Sequence, residues 1–149
     1  DIALSFGGTI DKYIGDAIMI FFGDPKTDGK QNDAIKCVNM AIEMQKVMGN
    51  MSFEFKEKFN LELPLEIRIG INSGECTVGN FGSNKRLDYT VIGGTVNLAS
   101  RLETSASKGG ILVSETTKLL IHKKIKTRNM GKIKVKGFDN DIDIYNVIF

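Results

Sequence analysis

Asn97 and Arg101 stand four residues apart in the stretch Thr95-Val96-Asn97-Leu98-Ala99-Ser100-Arg101-Leu102-Glu103. On a helix that spacing puts both on one face about one turn apart, with Leu98 and Leu102 forming the apolar counterpart. A guanidinium fork can hold two phosphate oxygens and stabilise charge that develops during phosphoryl transfer, while an amide can orient a ribose or an attacking hydroxyl. The alternative is a solvated helix face on which Arg101 pairs locally, worth roughly a few tenths of a kcal/mol. Asp16 follows Gly15 between two apolar runs. Its carboxylate is either a turn cap for a backbone N–H or a ligand for Mg²⁺, which uses one or two carboxylates together with substrate phosphates. Lys12, in a strand, is either a solvated edge residue or a donor to a base nitrogen, a carbonyl or a phosphate. Thr90, at the end of another strand, is either a β-former or a hydroxyl that complements a purine edge as donor or acceptor.

The elements that must position these groups are legible in the hydrophobic periods. Asp1 to Phe6 reads as the last turns of a helix ended by Gly7-Gly8. Thr9–Ile14 and Asp16–Phe22 read as two strands of a hairpin around Gly15, the second apolar enough for a central strand covered on both faces. Gly23 to Gly29 is a loop, and helix is expected from about Asn32 to Met48, with Ala34, Cys37, Val38, Ala41, Ile42 and Gln45 inward and a resumption from Met51 to Phe59. Beyond Pro64, Leu65 to Ile71 alternates with period two, and Asn72-Ser73-Gly74 is expected to turn it into a second hairpin with Glu75 to Gly79. Leu87–Ile92 reads as a strand, about Thr95 to Ser105 as a helix, and Ile111–Val113 as a strand leading to Ser114, a helix cap with Thr117 three positions on. A helix to about Ile121 and closing strands Ile125–Val135 and Ile142–Val147 complete the order. Hairpins interleaved with crossover helices predict an α+β layer structure with a largely antiparallel sheet.

Composition bounds the function. With 149 residues, 42% apolar and 26% charged, the chain suits one globular domain with a real core. A net charge of +2 gives no global argument for nucleic acid or an anionic membrane. The basic run from Lys123 to Lys136 reads as a solvated face, and His122 within it as a surface residue. Cys37 and Cys76, in unlike contexts, argue against a disulfide framework or a structural zinc site. No apolar run approaches the roughly 20 residues that cross a bilayer. Ser73 has no local His or Asp arrangement that would support serine catalysis.

Three ordered blocks carry a resemblance. Gly7-Gly8-Thr9-Ile10-Asp11-Lys12-Tyr13-Ile14-Gly15-Asp16-Ala17-Ile18-Met19 resembles the metal and base-recognition segment of class III nucleotidyl cyclases. Ile69 to Glu75 with Val78 to Ser83 resembles that family's central hairpin, and Asp88 to Glu103 its most diagnostic block. The resemblance implies a ferredoxin-like mixed, largely antiparallel sheet with packed helices, and a single catalytic domain over 1–149 that lacks its amino-terminal segment. It implies a homodimer whose sites lie between two catalytic domains, Lys12 and Asp16 reaching a nucleotide from one subunit and Asn97 and Arg101 from the other. It also implies two divalent metals, Mg²⁺ or Mn²⁺, with Asp16 one of two metal aspartates and the other outside this chain. Lys12 and Thr90 match the pair that reads adenine, whereas guanylyl cyclases carry an acidic residue and a cysteine there. Asn97 and Arg101 match the residues that orient the ribose and stabilise the transferring phosphoryl group. The implied activity is conversion of ATP to 3',5'-cyclic AMP and pyrophosphate in a cytoplasmic catalytic domain, within a parent that has regulatory domains and is either free or membrane-attached. Gly94 departs from the family's usual Asp or Asn, with looser placement of Asn97 and Arg101 as the expected effect. The rival readings are an inactive cyclase-like domain kept for dimerisation or nucleotide sensing, and a guanylate cyclase.

Overall fold

A computed structural model describes all 149 residues. The order is α1 (Ile2–Ser5), β1 (Thr9–Ile14), β2 (Ala17–Phe21), α2 (Lys30–Lys58), β3 (Ile69–Ile71), β4 (Thr77–Ser83), β5 (Arg86–Ile92), α3 (Gly94–Ser105), β6 (Ile111–Ser114), α4 (Glu115–Ile121), β7 (Thr127–Ile133) and β8 (Ile142–Val147). The expected α+β class with mostly antiparallel pairing is what forms. The central sheet has the order β3-β6-β8-β7, in which only β3 and β6 run parallel.

All four residues of β6 are buried, because helices cover both of its faces. Ile111 and Val113 point toward Ala34, Val38 and Ala41 of α2 and Ile121 of α4. Leu112 points the other way, toward Leu98 and Leu102 of α3. The period of two along the strand thus divides the core into two layers. Where α3 crosses β3 the backbones nearly touch. A Cβ on Gly70 would lie 2.1 Å from the Glu103 amide nitrogen, so only glycine admits the helix at that height. Gln45 of α2 ties the strand from the opposite side, its Nε2 donating to the carbonyls of Ile67 and Gly110 at 3.0 and 3.1 Å. Ser114 caps α4 as its spacing predicts, accepting from the Thr117 N–H at 3.4 Å.

Three expectations change. The helix that seemed to break near Gly49 runs unbroken for 29 residues. One mid-helix glycine costs about 1 kcal/mol, and the good helix formers around it outweigh that. The hairpin expected between β3 and the next strand is absent: β3 pairs in parallel with β6, and the hairpin is β4 with β5, Ser83 opposite Arg86. Alternation identifies a strand but not its partner, and a parallel partner requires a long crossover, here through β4, β5 and α3. Finally, β2 is not a strand covered on two faces. It pairs with β1 alone, and Ile18 is 53% exposed. Side-chain hydrogen bonds tie β5 to the first hairpin and the loop after it: Thr90 to Asp11 of β1, and Tyr89 to both carboxylate oxygens of Asp24, just beyond β2, at 2.6 and 2.7 Å. Tyr89 therefore titrates above its usual range, chiefly because it donates to Asp24. No helix is long and apolar enough to cross a membrane.

Candidate active site

The register of β1 against β2 slips at one residue. Ile10 lies opposite Ile20 and Lys12 opposite Met19, which leaves Asp11 as the extra residue of a β-bulge. A bulge kinks its strand and re-aims a side chain. Here the Asp11 side chain is fully shielded and reaches β5, where its Oδ2 accepts the hydroxyl of Thr90 at 2.9 Å. The same oxygen lies 3.5 Å from the Lys12 ammonium, whose side chain stays 44% exposed. Lys12 and Thr90 come from strands far apart in sequence and meet at one carboxylate. Thr90 is 6% exposed, so it is not the freely presented strand-end hydroxyl its position in the sequence suggests.

Asp16 sits in the exposed turn after Gly15, whose φ of 61° is the positive value a first-position hairpin glycine supplies. Lys12 and Asp16 thus occupy different parts of one hairpin, and Lys12 is grouped with Thr90 instead of standing across from it. Thr90 leads through Ile92 and Gly93 straight into α3, the helix that carries Asn97 and Arg101.

Asn97 and Arg101 are both exposed on α3, while Leu98 and Leu102 are buried on its other face. Local pairing does not engage Arg101: the adjacent Glu103 is bound by Arg68 at 3.1 Å. The N-cap of α3 is Gly93, at φ 136°, with no side-chain cap; Gly94 is the first helical residue. The anchor comes instead from Thr95, whose hydroxyl donates to the Glu75 carbonyl at 2.7 Å and whose carbonyl accepts from Asn72 Nδ2 at 3.0 Å. These bonds fix the start of α3 despite the missing cap, so the looseness expected from Gly94 has a counterweight.

No group of three or more His, Cys, Asp or Glu side chains is placed to hold a metal ion. The exposed Asp16 carboxylate fits the role of one ligand in a site that takes its other oxygens from elsewhere, as Mg²⁺ sites on triphosphates do. Asp11, which links Lys12 to Thr90, is the residue that sequence reasoning passed over. Its signal was the pair Asp11-Lys12, two adjacent charges in an otherwise uncharged strand. Local pattern shows the charged pair, but not that Asp11 turns inward.

Residues 9–148 match the family described as the adenylate and guanylate cyclase catalytic domain. The chain is 38% identical over 148 residues to an adenylate cyclase of Anabaena cylindrica, a match covering 95% of this chain and 28% of that relative. Among solved structures, the adenylyl cyclase CyaB from P. aeruginosa is 51% identical with a TM-score of 0.95, over 99% of this chain and 75% of that one. The guanylyl cyclase Cya2 is 36% identical with a TM-score of 0.89, over 99% of this chain and 73% of that one. The chain spans little more than a quarter of the Anabaena relative, and its likenesses include cyclases of both base specificities. Because the match takes in both hairpins, the central sheet and α3 together, this chain belongs to the adenylate and guanylate cyclase catalytic-domain family.

Proposed function

We propose that this domain converts ATP to 3',5'-cyclic AMP and pyrophosphate by attack of the ribose 3'-hydroxyl on the α-phosphate. The observation that supports ATP over GTP is the meeting of Lys12 and Thr90 at Asp11: a cation and a hydroxyl side by side, with no acidic side chain presented outward between them. Lys12 donates to a ring nitrogen of adenine. Asn97 holds the ribose, and Arg101 lies against the α-phosphate, where negative charge grows as the bond to pyrophosphate lengthens. Fixing the ribose turns a search over conformations into a short intramolecular approach. Asp16 is the residue of this chain that would hold a divalent ion, Mg²⁺ or Mn²⁺, which when bound would acidify the attacking hydroxyl and neutralise the triphosphate.

The working unit is a homodimer. Tyr13, Ile14, Ile18, Leu87 and Ile92 on the two hairpins are each at least 46% exposed, an apolar surface suited to a second copy of the domain. Because Lys12 is joined to Thr90 through Asp11, and Thr90 lies on the strand that leads into α3, the proposed division of subunits departs from the expected one: Lys12, Thr90, Asn97 and Arg101 serve one nucleotide, and Asp16, in the turn of the hairpin, reaches the partner's nucleotide. Two-fold symmetry then gives two equivalent sites.

The test is product formation by the protein at its native length with Mg²⁺ or Mn²⁺, supplied with ATP or GTP. Cyclic AMP from ATP, with GTP used poorly, is the expected result. Cyclic GMP as the sole product would replace the reading with a guanylate cyclase, and an inactive protein that dimerises and binds ATP would replace it with a nucleotide sensor.

A further inference from the structure

Base reading by Lys12 and Thr90 leaves three features of Asp11 without a purpose. A bulge is spent on turning its side chain beneath β5. The side chain is wholly shielded. Of its two oxygens, Oδ2 serves both neighbours while Oδ1 is buried with no hydrogen-bond partner. An unpaired buried carboxylate oxygen is costly, and an apolar side chain of similar volume would remove that cost. What an apolar side chain could not do is accept a hydrogen bond from Thr90.

That acceptance decides what Thr90 can offer to a ligand. A threonine hydroxyl has one hydrogen and two lone pairs, so by itself it complements a donor or an acceptor equally well. With its hydrogen directed at Asp11 Oδ2, 2.9 Å away, the hydroxyl has only lone pairs left. The Lys12 ammonium, 3.5 Å from the same oxygen, has only hydrogens to give. We propose that Asp11 sets the polarity of the base-reading pair, making Thr90 an obligate acceptor beside the obligate donor Lys12. Adenine presents an N6 amine that donates next to an N1 that accepts, and so matches both. Guanine presents an O6 that accepts next to an N1–H that donates, and so opposes both. Without Asp11 the Thr90 hydroxyl turns round and donates to O6, and half of the discrimination disappears. Asp11 touches no part of the nucleotide; it is a positioning residue that acts through Thr90.

The inference rests on the ATP reading above, and its test separates the two. In the protein at native length, kcat/KM for ATP and for GTP is measured in wild type, Asp11→Ala, Asp11→Leu, Asp11→Asn, Thr90→Val and the double variant Asp11→Ala with Thr90→Val. Asp11→Ala is expected to lower the ATP to GTP ratio about tenfold. Asp11→Leu fills the volume and gives the same loss should the alanine variant melt early. Asp11→Asn, whose amide oxygen still accepts from Thr90, keeps most of the ratio. The double variant is no less selective than Thr90→Val, because two residues acting through one hydroxyl are not additive. If turnover is absent, relative affinity for 3'-deoxy-ATP and 3'-deoxy-GTP carries the same comparison. Equal losses for both nucleotides in Asp11→Ala and Asp11→Leu, with the ratio intact, would overturn the inference and leave Asp11 a strand tie. A wild type that favours the guanine nucleotide overturns the ATP reading and this inference together, whereas the first outcome leaves the ATP reading standing.

Discussion

The central sheet and the two hairpins treat their apolar residues in opposite ways. In the sheet, β6 is buried from end to end between α2 with α4 on one side and α3 on the other. In the hairpins, Tyr13 is 69% exposed, Leu87 62% and Ile14 58%, and the hydrogen-bonded pairing of each strand ends with its one neighbour. Two-stranded ribbons with one exposed face are marginal alone and need cover. The layered part of the domain is therefore the source of its stability. The hairpins are the part that the proposed dimer would cover, and they carry Lys12, Asp16 and Thr90. α3 belongs to both regions, with its leucines in the core and Asn97 and Arg101 on its exposed face.

Damage to the layered part should abolish everything at once. Gly70→Ala drives a methyl group into the α3 backbone and is expected to cost about 3 kcal/mol of stability, read as a lower urea midpoint with unchanged slope. A variant as stable as wild type would mean that α3 is not seated on β3 as described. Arg101→Ala tests the outer face of the same helix. It should lower kcat about 100-fold with the melting temperature and nucleotide affinity unchanged, and equal losses in turnover and affinity would sink a role confined to the transition state. Ile18→Lys places a charge on the exposed hairpin surface. It should weaken self-association at least about tenfold, measured by sedimentation, while moving monomer stability by no more than about 0.5 kcal/mol. A monomeric wild type at high concentration would break the contrast between the two regions.

The smallest effect is chemical. Cys37 packs against the core beside α4, and burial pushes its thiol up to about 12. Cys76, in the connection between β3 and β4, is exposed, with its thiol raised less far by partial desolvation. Thiolate is the reactive form, so near pH 8 a thiol reagent should label Cys76 first and Cys37 only when the layers open. Labelling of both at one rate in the folded protein would contradict the packing of α2.

The distribution of what the sequence revealed follows the same division. Strands and helices in the layered part carry their burial in their periods: Leu98 and Leu102 on α3, Ala34, Val38 and Ala41 on α2, and the Ser114 cap all lie where spacing puts them. Pairing was less legible. The alternation of Leu65 to Ile71 is compatible with any neighbour, and the partner chosen, β6, lies about forty residues on. Of the site, the residue types of Lys12, Asp16, Thr90, Asn97 and Arg101 were visible, and the structure locates them on β1, its turn, β5 and α3. The link among them was not visible, because a bulge is a fault in register between two strands and neither strand alone contains it.

Gly93 joins the two ends of this arrangement. At φ 136° it occupies backbone that side-chain-bearing residues rarely adopt, and it is the single residue between β5 and α3. Under the proposed function, the strand that meets the base and the helix that meets the phosphates are therefore one residue apart along the chain. A tilt of β5 forced by an ill-fitting base would then be carried to the start of α3, and with it to Arg101. In the proposed cyclase that coupling would hold a wrong nucleotide's phosphate out of line after binding, so discrimination is expected in the turnover number as well as in affinity.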